Sequence, residues 1–343
     1  MEPKTSHPSE LSPALPKQSV DEENVYSQEF MDLLSTFPKE KNSSFGADMY
    51  QYNGFWYPTV PLHGMIECLK HFQPRKNDVF LVTAPKSGTT WLKAIIYALL
   101  NRQVHHPQDP RHPLLTKTPH QLVPFVILLK PSDYDSVSNS SDSSTRIFGA
   151  HLPTVSLPKS VMEDSESFNC KIVYLCRDIK DTFVSFFHFE NKNVDLSSNS
   201  LERAFDLYSR GVSVGGPVWD QIMGYWKESL ERPNKVLFIR YEDMKSNPYF
   251  QLSRLALFLG KAFSEEEQNS GMLDQILSLC SFDNIKNLEV NKSGISGLGL
   301  GIKNDTFYRS GKVGDWKNTL TAEMAAKLDL ITEEKFRGSG LSL

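Results

Sequence analysis

The feature that most constrains this chain is a series of four short apolar runs separated by segments with helical periodicity. The runs read VFLVTA, RIFGA, KIVYL and VLFI, and they occupy residues 79–84, 146–150, 171–175 and 236–239. Helical patterns lie between the runs, at residues 89–100, 181–189 and 218–230. Short buried strands that alternate with helices predict an α/β domain with a mostly parallel central sheet flanked by helices.

A charged or titratable residue follows directly on each of these runs. In chain order these residues are Lys86, His151, Arg177 and Arg240, the last followed by Tyr241. In an open parallel sheet, ligands bind beyond the carboxyl ends of the strands. We therefore expect one edge of the sheet to carry all of these side chains and to hold the functional site.

The turn after the first run, Lys86-Ser87-Gly88-Thr89-Thr90, has the composition of an anion-binding loop. Small residues let the backbone curl so that successive N–H groups face inward, and the following helix adds its positive dipole end. Any strand-to-helix turn needs small capping residues, so a purely structural turn is the alternative. The added lysine, the two threonines and the following tryptophan favour a site for phosphate or sulfate.

The turn differs from the nucleotide-triphosphatase loop, whose pattern is G-x-x-x-x-G-K-[ST]. Here Lys86 precedes Gly88, and the first glycine of that pattern is missing. No predicted strand ends in an acidic residue placed to hold Mg²⁺. Both differences predict a group transfer without a metal.

Composition and charge exclude several other classes. The net charge of −4 argues against a nucleic-acid partner, because binding to a phosphate backbone requires a basic surface. The four cysteines show no C-x-x-C spacing, and no apolar run suits a secretion signal or a membrane span. We therefore expect a cytoplasmic protein with no membrane partner. Residues 1–25 are rich in proline, serine and charge, which predicts a disordered tail before a single domain at 26–343.

The segment APKSGTTW, at residues 84–91, resembles the donor-binding signature of cytosolic sulfotransferases. Four further segments resemble motifs of this family in matching order: FGAHLP (148–153), YLCRDIKDTFVSFFHF (174–189), IRYEDMKSNP (239–248) and YRSGKVGDWKN (308–318). The closing ITEEKFRGSGL (331–341) is most similar to the plant branch. The resemblance implies a P-loop-like strand-loop-helix unit and transfer of a sulfuryl group from 3′-phosphoadenylyl sulfate (PAPS) to a hydroxyl of a small acceptor. Plant relatives imply a flavonoid, a hydroxyjasmonate, a brassinosteroid, a desulfo-glucosinolate or another phenol or alcohol.

The resemblance gives the loop and the histidine catalytic roles. His151 matches the family's base, and a histidine can take a proton from an alcohol at neutral pH. Lys86 would stabilise the charge on the oxygen that links sulfur to phosphate. The loop residues that would hold the donor are Lys86, Ser87, Gly88, Thr89 and Thr90.

Two segments are similar to the family's binding site for the 3′-phosphate of the donor. One supplies Arg177 and Ser185; an ion pair of Arg177 with Asp178 or Asp181 is the structural alternative. The other is Arg309-Ser310-Gly311, in which serine replaces the family's usual lysine and Lys312 stands two places later.

The resemblance implies an aromatic adenine site, and other aromatic residues of the chain are candidates for the acceptor pocket. Trp91 and Phe282 match the positions that sandwich the adenine in the family, and Tyr241 matches a tyrosine that hydrogen-bonds it. Flat aromatic rings suit a purine face. The candidates for acceptor walls are Trp56, Tyr57, Phe187, Phe189 and the Gly-rich loop at residues 291–304, each of which could equally pack in a core. His188 is a further candidate for the acceptor pocket.

Two other functions remain compatible with the residues alone. One is a P-loop-type nucleotide kinase, and the other is a catalytically inactive adenylate-binding protein on the same fold. Residues 320–323 lack the threonine-valine pair of the dimer motif found in animal relatives, so the resemblance predicts a monomer.

Overall fold

The computed structural model describes residues 26–44, 46–142, 145–163, 167–193, 200–298 and 300–343. The predicted disordered tail at residues 1–25 lies outside the described residues. The described residues divide into two units, one that ends at Thr36 and one that comprises Phe37–Leu343. The described part of the first contains helix α1, Gln28–Ser35. The Ser27 side chain starts this helix by accepting a hydrogen bond from the Phe30 N–H at 3.3 Å.

The second unit begins with a small antiparallel sheet that the apolar pattern does not predict. Its strands are β1 (Lys39–Ser44), β2 (Ala47–Tyr52) and β3 (Phe55–Pro58), in that order. Asn53 and Gly54 turn the chain between β2 and β3 with φ angles of 50° and 83°. Consecutive positive φ values are typical of Asn-Gly hairpin turns, whose twist matches that of the flanking strands.

The central sheet has four strands, all parallel, in the order β5-β4-β6-β7. They are β4 (Val79–Thr83), β5 (Ile147–Ala150), β6 (Lys171–Cys176) and β7 (Val236–Arg240). Each apolar run of the sequence therefore forms a strand, within one residue of the predicted bounds. The parallel arrangement confirms the predicted α/β fold.

Helices surround this sheet and connect its strands. They are α2 (Thr59–His71), α3 (Thr89–Asn101), α4 (Pro119–Leu122), α5 (Lys159–Met162), α6 (Ile179–Asn193), α7 (Leu201–Ser209), α8 (Val218–Glu231), α9 (Tyr241–Ser246), α10 (Pro248–Phe258), α11 (Glu265–Asn269), α12 (Met272–Leu279), α13 (Phe282–Asn287), α14 (Glu289–Lys292) and α15 (Ala322–Phe336). The predicted helices at 89–100, 181–189 and 218–230 correspond to α3, α6 and α8. Among the described helices, none is long and apolar enough to cross a bilayer.

The two ends of the sheet carry different kinds of polar group. At the amino end, the Arg146 guanidinium donates to both carboxylate oxygens of Asp78, at 3.0 and 2.6 Å, and both side chains are fully buried. The charged groups at this end of the sheet therefore pair with each other inside the protein. At the carboxyl end, the chain delivers Lys86, His151 and Arg177 just beyond the strands, where a site can form.

Candidate active site

The loop between β4 and α3 has a conformation that depends on glycine. Lys86 has a φ of 69° and Gly88 a φ of 110°, both in the left-handed region. A Cβ atom at position 88 would lie 2.8 Å from a ring carbon of Tyr241. Gly88 is therefore required for both its φ angle and its contact with Tyr241. The loop delivers the chain into α3, whose first N–H groups have no partner within the helix and suit an anion.

Lys86 lies over the aromatic side chains of the site. Its Nζ is 4.0 Å from the centroid of the Phe189 ring and 5.4 Å from that of Phe307. Burial lowers the pKa of Lys86 to about 7, and the positive charges of Arg309, Arg177 and Lys192 add to this effect. A lysine with this pKa gains its full charge when an anion arrives beside it.

His151 is oriented by the end of the neighbouring strand. Its Nδ1 lies 2.8 Å from the backbone oxygen of Thr83 and 3.2 Å from the hydroxyl of the same residue. Because a carbonyl can only accept, Nδ1 carries the proton and Nε2 keeps a lone pair. Burial lowers the pKa of His151 to about 4; the hydrogen bond to Thr83 raises it in part, while the charges of Lys93 and Lys86 lower it further. At neutral pH the imidazole is uncharged and can accept a proton.

Arg177 joins the loop to a distant segment of the chain. Its Nη1 lies 3.4 Å from the backbone oxygen of Lys86, and its Nη2 donates to the backbone oxygen of Lys312 at 2.8 Å. The alternative ion pair is also present, since Nη2 lies 3.3 Å from Asp181. The Nε of Arg177 is nevertheless buried without a hydrogen-bond partner. One N–H donor of this guanidinium thus remains for an anion.

Asp181 holds the segment around residue 314 against the start of α6. Its two carboxylate oxygens accept hydrogen bonds from the backbone N–H groups of Gly314, at 2.8 Å, and Trp316, at 3.0 Å. The same segment contains Arg309, whose guanidinium pairs with Asp315 at 2.5 Å and whose Nε is also buried without a partner. Because the charges of Arg309 and Arg177 both lower the pKa of Lys86, the 309–311 segment supplies a second guanidinium in the neighbourhood of that lysine.

Ser185 and Ser310, which were also predicted to bind the 3′-phosphate, lie in surroundings that differ from each other. Ser185 is buried on α6. Burial raises the pKa of the Asp315 carboxyl, but Arg309, and to a smaller extent hydrogen bonds from Asn318 and Ser310, bring that pKa below its usual value. Lys312 contributes its backbone oxygen to Arg177, while its side chain is exposed.

The predicted adenine-binding residues form a continuous series of contacts. The Trp91 and Tyr241 rings meet edge-on with centroids 5.5 Å apart, and the Tyr241 hydroxyl donates to the backbone oxygen of Gly311 at 3.0 Å. A Cβ atom at Gly311 would lie 2.6 Å from the ring of Phe282. These four residues therefore line one region next to Arg177, whose guanidinium lies 4.7 Å from the Tyr241 ring centroid.

The residues predicted to line the acceptor pocket lie in several different parts of the structure. Phe189 contacts Lys86, as described above. Tyr57 is buried and its hydroxyl lies 2.9 Å from the Ser156 hydroxyl, so it packs in the core. Trp56 packs against another cluster that contains Met49, Leu207 and Val212. Phe187 stacks on Phe183, and the Nε2 of His188 lies 3.4 Å from the Thr319 hydroxyl.

Sequence reasoning missed several side chains that contact the site. Phe125 lies 4.7 Å from the His151 ring and 5.6 Å from the His120 ring, between centroids. The His120 ring lies 4.3 Å from that of Phe307, which in turn faces Lys86. Lys93, on α3, is completely buried beside them. A lysine within an otherwise apolar helical run is a local sequence signal that could have indicated a role for Lys93 in the site.

The polar groups of the site suit anion binding and proton transfer. Within the described ranges, no cluster of three or more His, Cys, Asp or Glu side chains could hold a metal ion. A lysine, two guanidinium groups and a helix amino terminus surround one region, and a neutral imidazole lies at its side. This arrangement can stabilise a phosphate or sulfate and remove a proton from a hydroxyl group.

Comparisons with known proteins agree on one family. The protein-family model described as "Sulfotransferase domain" matches residues 76–340. Cytosolic sulfotransferases 6 and 8 of Arabidopsis thaliana are each 43% identical to this chain; each match covers 92% of the chain, and 95% and 94% of the respective relative. A crystal structure of an Arabidopsis thaliana sulphotransferase superposes with a TM-score of 0.72 at 38% identity, covering 96% of this chain and 100% of that one. A mouse sulfotransferase complexed with PAP gives a TM-score of 0.64 at 26% identity, covering 85% of this chain and 95% of its own.

Proposed function

This chain belongs to the plant branch of the cytosolic sulfotransferase family, and we propose that it uses PAPS as donor, His151 as base and a small hydroxylated compound as acceptor. The observation that carries the proposal is the convergence of Lys86, His151 and Arg177 at one edge of the sheet. A nucleotide kinase is not favoured, because the family is one of sulfotransferases.

The unpartnered donors of the site support a doubly phosphorylated adenosine. PAP is adenosine 3′,5′-bisphosphate, the product that PAPS leaves after transfer. The buried Nε atoms of Arg177 and Arg309 have no hydrogen-bond partner in the protein, which suits a phosphate at that corner. The amino end of α3 and the Lys86 side chain suit the second phosphate. The aromatic series from Trp91 to Phe282 would then hold the adenine between these two anion sites.

The proposed chemistry is a direct in-line transfer. The acceptor oxygen forms a bond to sulfur as the bond from sulfur to the bridging oxygen breaks, and the electron pair stays on the 5′-phosphate of PAP. The acceptor proton passes to Nε2 of His151, which Thr83 orients through Nδ1. Lys86 stabilises the charge on the leaving oxygen, a contribution typically worth about 3 kcal/mol for one preorganised donor.

The acceptor, the location and the assembly are also part of the proposal. The curated relatives are named cytosolic and are plant proteins, so we propose a cytoplasmic enzyme that acts on plant phenols or alcohols. We propose that it acts as a monomer. The Phe125, Phe189 and Phe307 rings near His151 and Lys86 favour an aromatic or otherwise apolar acceptor body.

A labelled-donor assay tests the proposed function. Purified protein is incubated with PAPS carrying labelled sulfur and with a panel of flavonoids, hydroxyjasmonates, brassinosteroids, desulfo-glucosinolates and simple phenols. Transfer of label to at least one acceptor, with equimolar release of PAP, is the expected result. Binding of PAP without transfer to any hydroxylated compound would support the inactive adenylate-binding protein instead.

A further inference from the structure

Lys93 is a buried lysine within an apolar helix, and its environment requires an explanation. It is 0% exposed on α3 between the buried residues Leu92 and Ala94. An amine in such a place is costly unless its N–H groups have acceptors. Nζ donates to the backbone oxygen of Val123 at 2.7 Å and lies 3.4 Å from the centroid of the Phe125 ring. The backbone oxygen and the ring face both favour a nitrogen that presents N–H groups.

The third contact of Lys93 is the imidazole of His120. Nζ lies 3.3 Å from Nδ1 of His120, while Nε2 of the same ring lies 3.0 Å from the Thr90 hydroxyl. Burial lowers the pKa of His120 well below its usual range, and the charges of Lys93, His151 and Lys86 add to this effect. The ring is therefore neutral and carries one proton. Where Lys93 donates to Nδ1, that proton lies on Nε2, which then donates to the Thr90 hydroxyl.

Gly149 on β5 makes room for this arrangement. A Cβ atom there would lie 2.6 Å from Cε and 2.9 Å from Nζ of Lys93. The glycine thus allows the lysine to pass the strand and reach His120. The line of hydrogen bonds joins α3 and α4 and ends at Thr90, the second residue of α3, while β5 leaves room for the lysine.

We propose that Lys93 and His120 are positioning residues that hold the Thr90 hydroxyl as a hydrogen-bond donor to the anion in the loop. A hydroxyl has one proton with which to donate a hydrogen bond. In the first turn of a helix, a threonine hydroxyl can donate that hydrogen bond to a nearby backbone oxygen. When the hydroxyl accepts from His120, its own proton is directed elsewhere. Thr90 follows Gly88 and Thr89 at the amino end of α3, so the bound phosphate is its natural acceptor. This inference rests on the proposed function, because that function places the 5′-phosphate there.

A double-mutant cycle on PAP binding tests this inference without an acceptor. The variants are Thr90→Val, His120→Phe and the double variant, measured by calorimetry, with exposed His106→Phe as the matched control. Each single change should weaken PAP binding about tenfold, the value of one hydrogen bond to a charged group. The double variant should bind nearly as well as either single variant, because both changes remove the same hydrogen bond.

Conservative replacements separate positioning from packing. His120→Gln presents an amide N–H near the position of Nε2, so it should recover part of the lost affinity, whereas Lys93→Met should weaken binding as His120→Phe does. If His120→Phe does not fold, the same cycle with Thr90→Val is measured with Lys93→Met in its place. Additive effects in the cycle, or wild-type affinity in His120→Phe, would overturn the inference while leaving the proposed function intact. Coupled effects together with no sulfuryl transfer from wild-type protein would count against the proposed function alone.

Discussion

Nδ1 of His151 lies 2.8 Å from the backbone oxygen of Thr83, the last residue of the neighbouring strand. This hydrogen bond sets the tautomer of the imidazole and leaves Nε2 free to accept a proton. Because β4 and β5 are parallel neighbours, their carboxyl ends bring the anion loop and the base to the same place. The proposed chemistry depends on this adjacency, since the leaving group and the nucleophile must be held on opposite sides of one sulfur atom.

Replacing His151 by alanine should abolish turnover and leave PAP binding largely unchanged. General-base catalysis contributes about 10²–10⁴-fold, and the loop and Arg177 do not depend on the imidazole. Steady-state assays and PAP calorimetry on the same preparation measure the two effects, with His106→Ala as the control. Near-normal turnover in His151→Ala would remove this residue as the base.

The pKa of His151 also predicts how stability depends on pH. The folded-state pKa is about 4, below the usual 6.5, so the unfolded chain binds more protons between these values. The contribution of the neutral imidazole is fully present above pH 6.5 and is lost as the pH falls towards 4. Urea unfolding at a series of pH values should show this loss in wild-type protein and a smaller loss in His151→Ala. Identical pH profiles for the two proteins would contradict the burial of a neutral imidazole.

Lys86 should take up a proton when PAP binds. Its pKa is about 7 in the free protein, and the adjacent anion raises it, so above pH 7 the bound state holds a proton that the free state lacks. Calorimetry at pH 8 in buffers of different ionisation enthalpy should detect uptake approaching about one proton per PAP. Lys86→Met should abolish this uptake and lower kcat about 10²–10³-fold. Unchanged proton uptake in Lys86→Met would assign the titration to another group.

Gly311 and Gly314 form a matched pair of substitution sites. Both have positive φ angles, 66° and 78°, so alanine adds a similar backbone strain at each position. A Cβ atom at Gly311 would meet the Phe282 ring at 2.6 Å, whereas one at Gly314 would meet nothing within 4 Å. Gly311→Ala should therefore weaken PAP binding about tenfold or more, beyond the effect of Gly314→Ala, because it displaces an adenine-binding ring. Equal PAP affinities in the two variants would place the adenine elsewhere.

Gly149→Ala should destabilise the protein through Lys93. The added methyl group overlaps the end of the lysine, and overpacking of this kind costs about 1–3 kcal/mol in the free energy of unfolding. In a Lys93→Leu background, where the overlapping atoms are absent, the same substitution should cost less. Thermal or urea unfolding of the four proteins measures the coupling. Additive effects would show that Gly149 is needed for some reason other than room for Lys93.

The parts of the structure that sequence predicts well are those with local signals. The runs that form β4 to β7 are apolar, short and bounded by loops, and the turn at Lys86 lies directly after one of them. The small sheet was missed because β1 reads KEKNSS and has no apolar run. The Asn53-Gly54 pair was the available signal, since it is typical of a two-residue hairpin turn.

The remaining features depend on contacts between distant parts of the chain. His120 is 27 residues from Lys93, and no local spacing indicates that the two side chains meet. The need for glycine at position 149 follows only from the packing of Lys93, on α3, against β5. Asp181 could be read as an ion-pair partner of Arg177 from its spacing, but its bonds to Gly314 and Trp316 come from tertiary structure.

The preference for PAP over adenosine monophosphate tests most directly whether the site recognises a doubly phosphorylated adenosine. Wild-type protein should bind PAP about 10–100-fold more tightly, because a charged hydrogen bond to the 3′-phosphate is worth about 1.5–3 kcal/mol. Arg177→Ala should bring the ratio of the two dissociation constants close to one. If wild-type protein bound the two nucleotides equally, or if Arg177→Ala kept the full preference, the assignment of this site would be wrong.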